Sequence, residues 1–397
     1  MRIRFHSGWK FAWTFAAAAT TSRSITRLSF GQGNHRQSRC LVHSFAIRSN
    51  THRQRINSRK QDSRRNMSSS TQQETSLQFV DIGANLLDER YTDGIYFGKK
   101  RHESDFDLVL ERSLERGVSH LILTAGTLRE SRRALELVEA YQAKEDAPPI
   151  VLGCTVGVHP TRCQQEFVDE DKDAIAIMDE LQGLLERGTK SGSVVAIGEF
   201  GLDYDRLEFS PKDVQIEFFQ KQLDRFLGLG LDLPLFLHNR SVGKDLLEIL
   251  KDRTTKDSLR GVVHSFDDSL ELAQEFIDLG LYIGLNGCSL KTEENLAVVK
   301  ELPLDKILLE TDCPYCEIKA THAGHHHIQT TFAKKPDKKF EMGKMVKGRN
   351  EPCQIIQVAE VIAGVKGLPL EEVASACYQN SMDLYKGFVT APQAAIN

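Results

Sequence analysis

From Phe79 to Asp312 the chain repeats one alternation, a short apolar run followed by a stretch with helical periodicity. Eight such runs stand out, at Phe79–Ile82, Val118–Thr124, Ile150–Val158, Val194–Glu199, Leu233–His238, Gly261–His264, Leu281–Asn286 and Ile307–Asp312. Each is too short for a helix, and several end on glycine or a polar residue, which marks strands buried on both faces. Amphipathic stretches lie between them at Asp105–Arg116, Glu130–Ala143, Asp171–Arg187, Gln215–Leu227, Lys244–Lys251 and Leu270–Leu279. Two more follow, at Pro352–Ala363 and Leu370–Tyr385. Leu246, Leu247 and Leu250 form the stripe by which such a helix packs on a sheet. Strand then helix, repeated, makes the strands run parallel. Eight units predict an α/β domain over residues 76–390, a (β/α)8 TIM barrel, with a doubly wound open sheet as the alternative.

The polar residues of these runs gather at their C-terminal ends: Asp81 and Asn85, His159, Glu199, His238, His264, Asn286, Glu310 and Asp312. In a barrel those ends surround one mouth, so residues remote in sequence converge there. Residues 194–206 read V-V-A-I-G-E-F-G-L-D-Y-D-R, an apolar strand that stops on Gly198, Glu199 and Gly201. A carboxylate at such a turn is expected in a site; capping a nearby helix is its alternative role. The long connection from Cys313 to Asn350 carries Gly324, Gly343, Gly348 and several lysines. In a compact domain a loop of that length is a lid or a binding loop.

Charge divides the chain in two. Ahead of Glu74 stand 14 Lys and Arg against one acid, Asp62, a balance of +13; the whole chain is −4, so residues 74–397 carry −17. An Arg- and Ser-rich, acid-poor leader over residues 1–75 predicts an organellar transit segment, for a mitochondrion or plastid. It has two rivals: a secretory signal around the apolar Phe11–Ala19, or a cytosolic or nuclear form that starts at Met67. The cysteines count against secretion, because only Cys40 of the eight lies in the leader and the others show no paired framework. No apolar run approaches the ~20 residues that span a bilayer, so no membrane partner is expected. Residues 391–397 read as a tail, and a monomer is expected.

Glu199, His238, His264 and Asp312 place two carboxylates and two imidazoles at the ends of strands four, five, six and eight. Those ligand types suit Zn, Mn or Mg where thiolate is absent. A lone histidine ending a strand is more often structural; four such groups around one mouth point to a metal site. The motifs G-E-F-G-L-D-Y-D-R (198–206), L-H-N-R (237–240), V-H-S-F (263–266) and E-T-D-C-P-Y (310–315) resemble those of the TatD family of metal-dependent deoxyribonucleases. G-V-H-P-T-R (157–162), N-G-C-S-L-K-T (286–292), T-H-A-G (321–324) and N-E-P-C (350–353) extend the resemblance over residues 79–386.

The resemblance implies a (β/α)8 barrel of the metal-dependent hydrolase type that cleaves DNA phosphodiesters, from 3′ ends, with two divalent ions. Magnesium or manganese is expected and zinc is admissible. It implies that Glu199 is shared by both ions, that His238 and His264 hold one, and that Asp312 holds the other and acts on its water. His159, Arg162, Arg240, Lys291 and His322 on mouth-side loops would meet the DNA backbone. Phe200 and Tyr204 would stack on an unpaired base, with core packing the equal alternative for Phe200. Strand one departs from the family's D-x-H-x-H: here it is Asp81-Ile-Gly-Ala-Asn85, so Gly83 and Asn85 replace two imidazoles and one ion is expected to bind weakly. Rival readings are an amidohydrolase-type enzyme acting on small amides, esters or phosphoesters, and a metal-binding scaffold without catalysis. Cys313-Pro-Tyr-Cys316 mimics a redox C-x-x-C but follows a barrel's last strand, and His325–His327 is not expected to serve as a catalytic ligand set.

Overall fold

The computed structural model describes residues 77–145, 147–253 and 259–388. The expected leader, with Cys40 and Met67, and the tail at 391–397 lie outside the described residues. Eight parallel strands follow one another in sheet order: β1 (Phe79–Ala84), β2 (Val118–Leu123), β3 (Val151–Val156), β4 (Val194–Asp203), β5 (Leu235–Arg240), β6 (Gly261–His264), β7 (Leu281–Leu285) and β8 (Ile307–Leu309). Just beyond β8 the chain returns to β1. Asp312 N–H donates to Gly83 O and Asn85 N–H to Cys313 O, each at 2.8 Å, and Ala84 bridges Cys313 in parallel. Those contacts bring the sheet round into the expected (β/α)8 barrel.

Helices follow the strands: α1 (Phe106–Leu114), α2 (Leu128–Gln142), α3 (Ala174–Ser191), α4 (Lys212–Leu227), α5 (Asp245–Arg253), α6 (Leu270–Asp278), α7 (Glu293–Glu301), α8 (Ile355–Lys366) and α9 (Leu370–Leu384). Local chemistry sets their starts. The side chains of Thr127 and Ser269 accept N–H bonds from Glu130 and Leu272, and Thr292 with Asn295 forms a reciprocal box that opens α7. Helix α7 has no counterpart among the expected stretches, although its cap residues are legible in T-E-E-N.

Alternation along the strands splits the apolar residues into two shells. Leu121 and Leu123 of β2 belong to the outer cluster with Leu135 of α2, Leu185 of α3 and Phe219 of α4. Ile122 belongs to the inner cluster, with Val80, Ile82, Val195, Phe236, Val262 and Leu308. Leu384, Tyr385 and Phe388, at and beyond the end of α9, complete that interior. They enter from the end opposite the mouth, where Asn380 Nδ2 also donates to Leu304 O and Ile307 O, both at 2.9 Å.

The long connection after β8 is anchored at its far end. Arg349 is fully buried; its guanidinium donates to both Asp105 carboxylate oxygens (2.7 and 2.6 Å), to Glu351 (2.8 Å) and to Arg90 O (2.9 Å). Arg112 completes the pairing of Glu351 at 2.8 Å. Removing one member of such a network strands a buried charge, at a cost of about 3–5 kcal/mol.

Candidate active site

Strand β4 runs four residues past Glu199 and does not end there. Its pairing with β5 shifts register between Ile197 and Phe200, so Glu199 occupies an irregularity within the strand. Two glycines permit it. Gly198 and Gly201 both have φ of 147°, and a Cβ on either would stand 2.3 Å from Phe236 O or 2.1 Å from His238 O. The backbone distortion leaves Glu199 N–H bonded to Ala125 O (3.0 Å) and its carboxylate in the mouth.

Three imidazoles converge on one oxygen of that carboxylate. Glu199 Oε1 lies 2.8 Å from His264 Nε2, 2.9 Å from His238 Nδ1 and 3.3 Å from His159 Nε2. His238 Nδ1 and His264 Nε2 also face each other at 3.1 Å. Burial works against the charge on Glu199, yet His264 and His159 hold its carboxyl well below the usual range. Burial likewise opposes charge on His264, but Glu199 and Glu310 carry it well above the usual histidine value. On His159 burial wins and the shift is downward. Ligand atoms of His159, Glu199 and His238 all lie within 4.8 Å of one another. A carboxylate oxygen crowded by ring nitrogens, with too few protons to serve every contact, is a donor set that fits a divalent cation.

Two further carboxylates orient this group: Glu310, expected only as one of the polar strand ends, and Asp203, which lies in the G-E-F-G-L-D-Y-D-R motif and to which the sequence assigned no role. Asp203 Oδ2 lies 3.2 Å from His238 Nε2 and 3.6 Å from Arg240 Nη1. Glu310 is fully buried; its Oε1 accepts from Ser265 N–H (2.5 Å) and Asn286 Nδ2 (3.0 Å). Its Oε2 makes no hydrogen bond and stands 3.6 Å from His264 Nδ1. Carboxylates on the far nitrogen of a ligand histidine fix its tautomer and ring plane. Gly83 makes room for Glu310, since a Cβ there would come within 2.9 Å of Oε2. The space a strand-one side chain would take is filled by Glu310, the residue that follows β8.

Asp312 stands outside the three-ligand group. Its Oδ1 accepts from Asn85 Nδ2 (2.8 Å) and its Oδ2 from the Cys316 thiol (3.2 Å). Burial raises its carboxyl to about 6, with Glu310 and Glu199 adding and His264 opposing. Asp81 does not reach the mouth as a ligand; it accepts from Thr311 N–H (2.9 Å) and Thr311 Oγ1 (2.6 Å) and stitches β1 to the end of β8.

The expected phosphate contacts divide. His159 joins the Glu199 cluster, and its Nδ1 is occupied by Thr161 at 2.7 Å. Arg162 and Arg240 are half-buried, Lys291 is exposed, and His322 is half-buried with no hydrogen-bond partner at Nδ1 among the described residues. The two aromatic residues differ, Phe200 being core and Tyr204 half-buried. Phe200 is wholly buried against Phe219, and Tyr204 is covered by Lys212 Nζ at 4.4 Å and bonded to Asp245 at 2.8 Å.

A parallel barrel with imidazoles and carboxylates gathered at the C-terminal ends of its strands defines the class of metal-dependent (β/α)8 hydrolases. Within it the family model for TatD related DNase matches residues 80–386, and the chain belongs to that family. It is 42% identical over 311 residues to the deoxyribonuclease Tat-D of Schizosaccharomyces pombe, covering 78% of this chain and 96% of that protein. It is 34% identical over 239 residues to the 3′-5′ ssDNA/RNA exonuclease TatD of Citrobacter koseri, covering 59% and 78% respectively. The crystal structure of a TatD family hydrolase from Entamoeba histolytica superposes with a TM-score of 0.71 at 38% identity, over 78% of this chain and 98% of that one.

Proposed function

We propose that this protein is a divalent-metal-dependent deoxyribonuclease that removes nucleotides from the 3′ ends of single-stranded or frayed DNA. The observation that carries the reading is the convergence of His159, His238 and His264 on one oxygen of Glu199, in a chain of the TatD family. One ion would be held by His159, Glu199 and His238, with His264 in reach. A second, weaker site would use Asp312, where Asn85 offers a neutral amide in place of an imidazole. Magnesium or manganese bound there would make water more acidic and neutralise phosphate oxygens. Asp312, with a carboxyl near 6, takes the proton of the attacking water. Arg162, Arg240, Lys291 and His322 hold the flanking phosphates. An amidohydrolase reading is disfavoured by the match to the TatD related DNase family over residues 80–386.

End-labelled single- and double-stranded DNA, incubated with the protein and a panel of Mg²⁺, Mn²⁺ and Zn²⁺, tests this. Metal-dependent loss of the 3′ label from single strands is expected, and no metal-dependent cleavage of either substrate would remove the proposal. The leader is proposed to direct import into an organelle and to be removed there. Both tryptophans, Trp9 and Trp13, lie in it; tryptophan emission from protein purified out of its native compartment would argue against removal.

A further inference from the structure

Of the seven cysteines among the described residues, Cys154, Cys163, Cys313, Cys353 and Cys377 are buried. Cys288 and Cys316 are half-buried, within reach of a small solute, and face one another at the mouth with 2.9 Å between their Sγ atoms. Cys288 follows β7 in a turn fixed by the Asn286 side chain, whose Oδ1 accepts the Cys288 N–H at 2.8 Å. Cys316 lies in the loop after β8, in a left-handed conformation with φ of 51°. The two loops are pressed together. A Cβ on Gly287 would stand 1.9 Å from Cys316 O, so only glycine lets the backbones approach this closely. Ala323 N–H bonded to Lys291 O (3.0 Å) ties the same loops a second time. The Cys316 thiol in turn donates to Asp312 Oδ2 at 3.2 Å.

We infer that Cys288 and Cys316 are an oxidation site, forming a reversible disulfide that turns the active site off through Asp312. The effect on turnover rests on the hydrolytic role proposed for Asp312; the covalent step does not. Hydrogen peroxide or a small hydroperoxide converts one thiol to a sulfenic acid, its O–O bond breaking as one water or alcohol leaves. The second thiol attacks that sulfur, the S–O bond breaks, a water leaves and the S–S bond forms. Two thiols thus give up two electrons and two hydrogens, and the peroxide is fully reduced. A dithiol reverses the change. In the disulfide, Cys316 has no hydrogen left to donate, so Asp312 keeps Asn85 on Oδ1 and loses its partner on Oδ2. The C-x-x-C spacing plays no part, because Cys313 is fully buried.

The full chain, reduced and then treated with hydrogen peroxide, is alkylated and mapped by mass spectrometry without reduction. A linked Cys288–Cys316 peptide pair is expected. Metal-dependent DNA cleavage should fall at least tenfold, and dithiothreitol should restore it. Cys288→Ser should cleave at the reduced wild-type rate and ignore peroxide. Absence of the linked pair overturns the inference. So does a linked protein that keeps its rate, or a Cys288→Ser protein as peroxide-sensitive as wild type. Should the reduced protein cleave no DNA at all, the hydrolytic reading fails separately. The affinity for Mn²⁺ then decides: a tenfold or greater loss on crosslinking upholds the switch, and an unchanged affinity overturns it.

Discussion

Glu199 and Asp312 are carboxylates of one mouth with opposite appetites for protons. Burial acts on both, but the neighbouring imidazoles hold Glu199 ionised, whereas Asp312 rises from 3.8 to about 6. His264, between Glu199 and Glu310, keeps its proton well above the usual range, although burial opposes the charge. A metal must displace that proton. Binding of Mn²⁺ at pH 7 is therefore expected to release about one proton, read by calorimetry in buffers of different ionisation enthalpy. No release would show that His264 is not a ligand. For Asp312 two signs must be kept apart. Folding favours its neutral form, so its contribution to stability is full below 3.8 and is lost as pH rises through about 6. Catalysis needs the ionised form, so turnover should fall about tenfold per unit as pH drops below about 6. Asp312→Asn should cost about 10²–10⁴ in turnover while its unfolding temperature at pH 8 is no lower than wild type. Turnover within tenfold of wild type would take Asp312 out of the mechanism.

At the scale of elements, strand order and most helices were legible because apolar runs and 3.6-residue periodicity report burial directly. The exceptions share a cause. Gly198 and Gly201 look like terminators, yet with φ of 147° they carry β4 on to Asp203 through a register shift. Asp203 and Glu310 are plain in the sequence as acids; which imidazole nitrogen each faces is decided only when β4, β5, β6 and β8 come together. Phe200 was ambiguous because the shift decides which side of the sheet it meets. The seam between β1 and β8 gives a sharp test. Gly83→His restores the imidazole seen in the family's strand-one motif, but its side chain meets Glu310 Oε2, 2.9 Å from the Cβ position. It is expected to destabilise the wild-type protein by about 1–3 kcal/mol and a Glu310→Ala protein by much less. Thermal melts of the two proteins settle it; equal destabilisation in both would show that Glu310 does not occupy that space.

For the molecule as a whole, residues 74–397 carry −17. Two lysines of the loop after β8 are paired with acids, Lys334 with Glu317 and Lys335 with Glu341, the latter at 3.3 Å. A domain so charged repels DNA at long range and must grip it through a few local cations. Each neutralised phosphate adds roughly 0.7 to the slope of log K against log salt on single strands and roughly 0.9 on duplex. Three or four contacts predict a slope magnitude of about 2–3 for Asp312→Asn on single-stranded DNA, read by filter binding. A magnitude above about 6 would reveal a broad basic face. The barrel's inner packing has one further consequence. Its apolar interior cluster is finished by Leu384, Tyr385 and Phe388, which the ribosome makes after every strand. A growing chain can pair its strands early but cannot seal them, so the barrel locks only once synthesis has passed α9. A message cut short anywhere before that point yields a polypeptide with an open, water-filled centre, a substrate for quality control rather than a weaker enzyme.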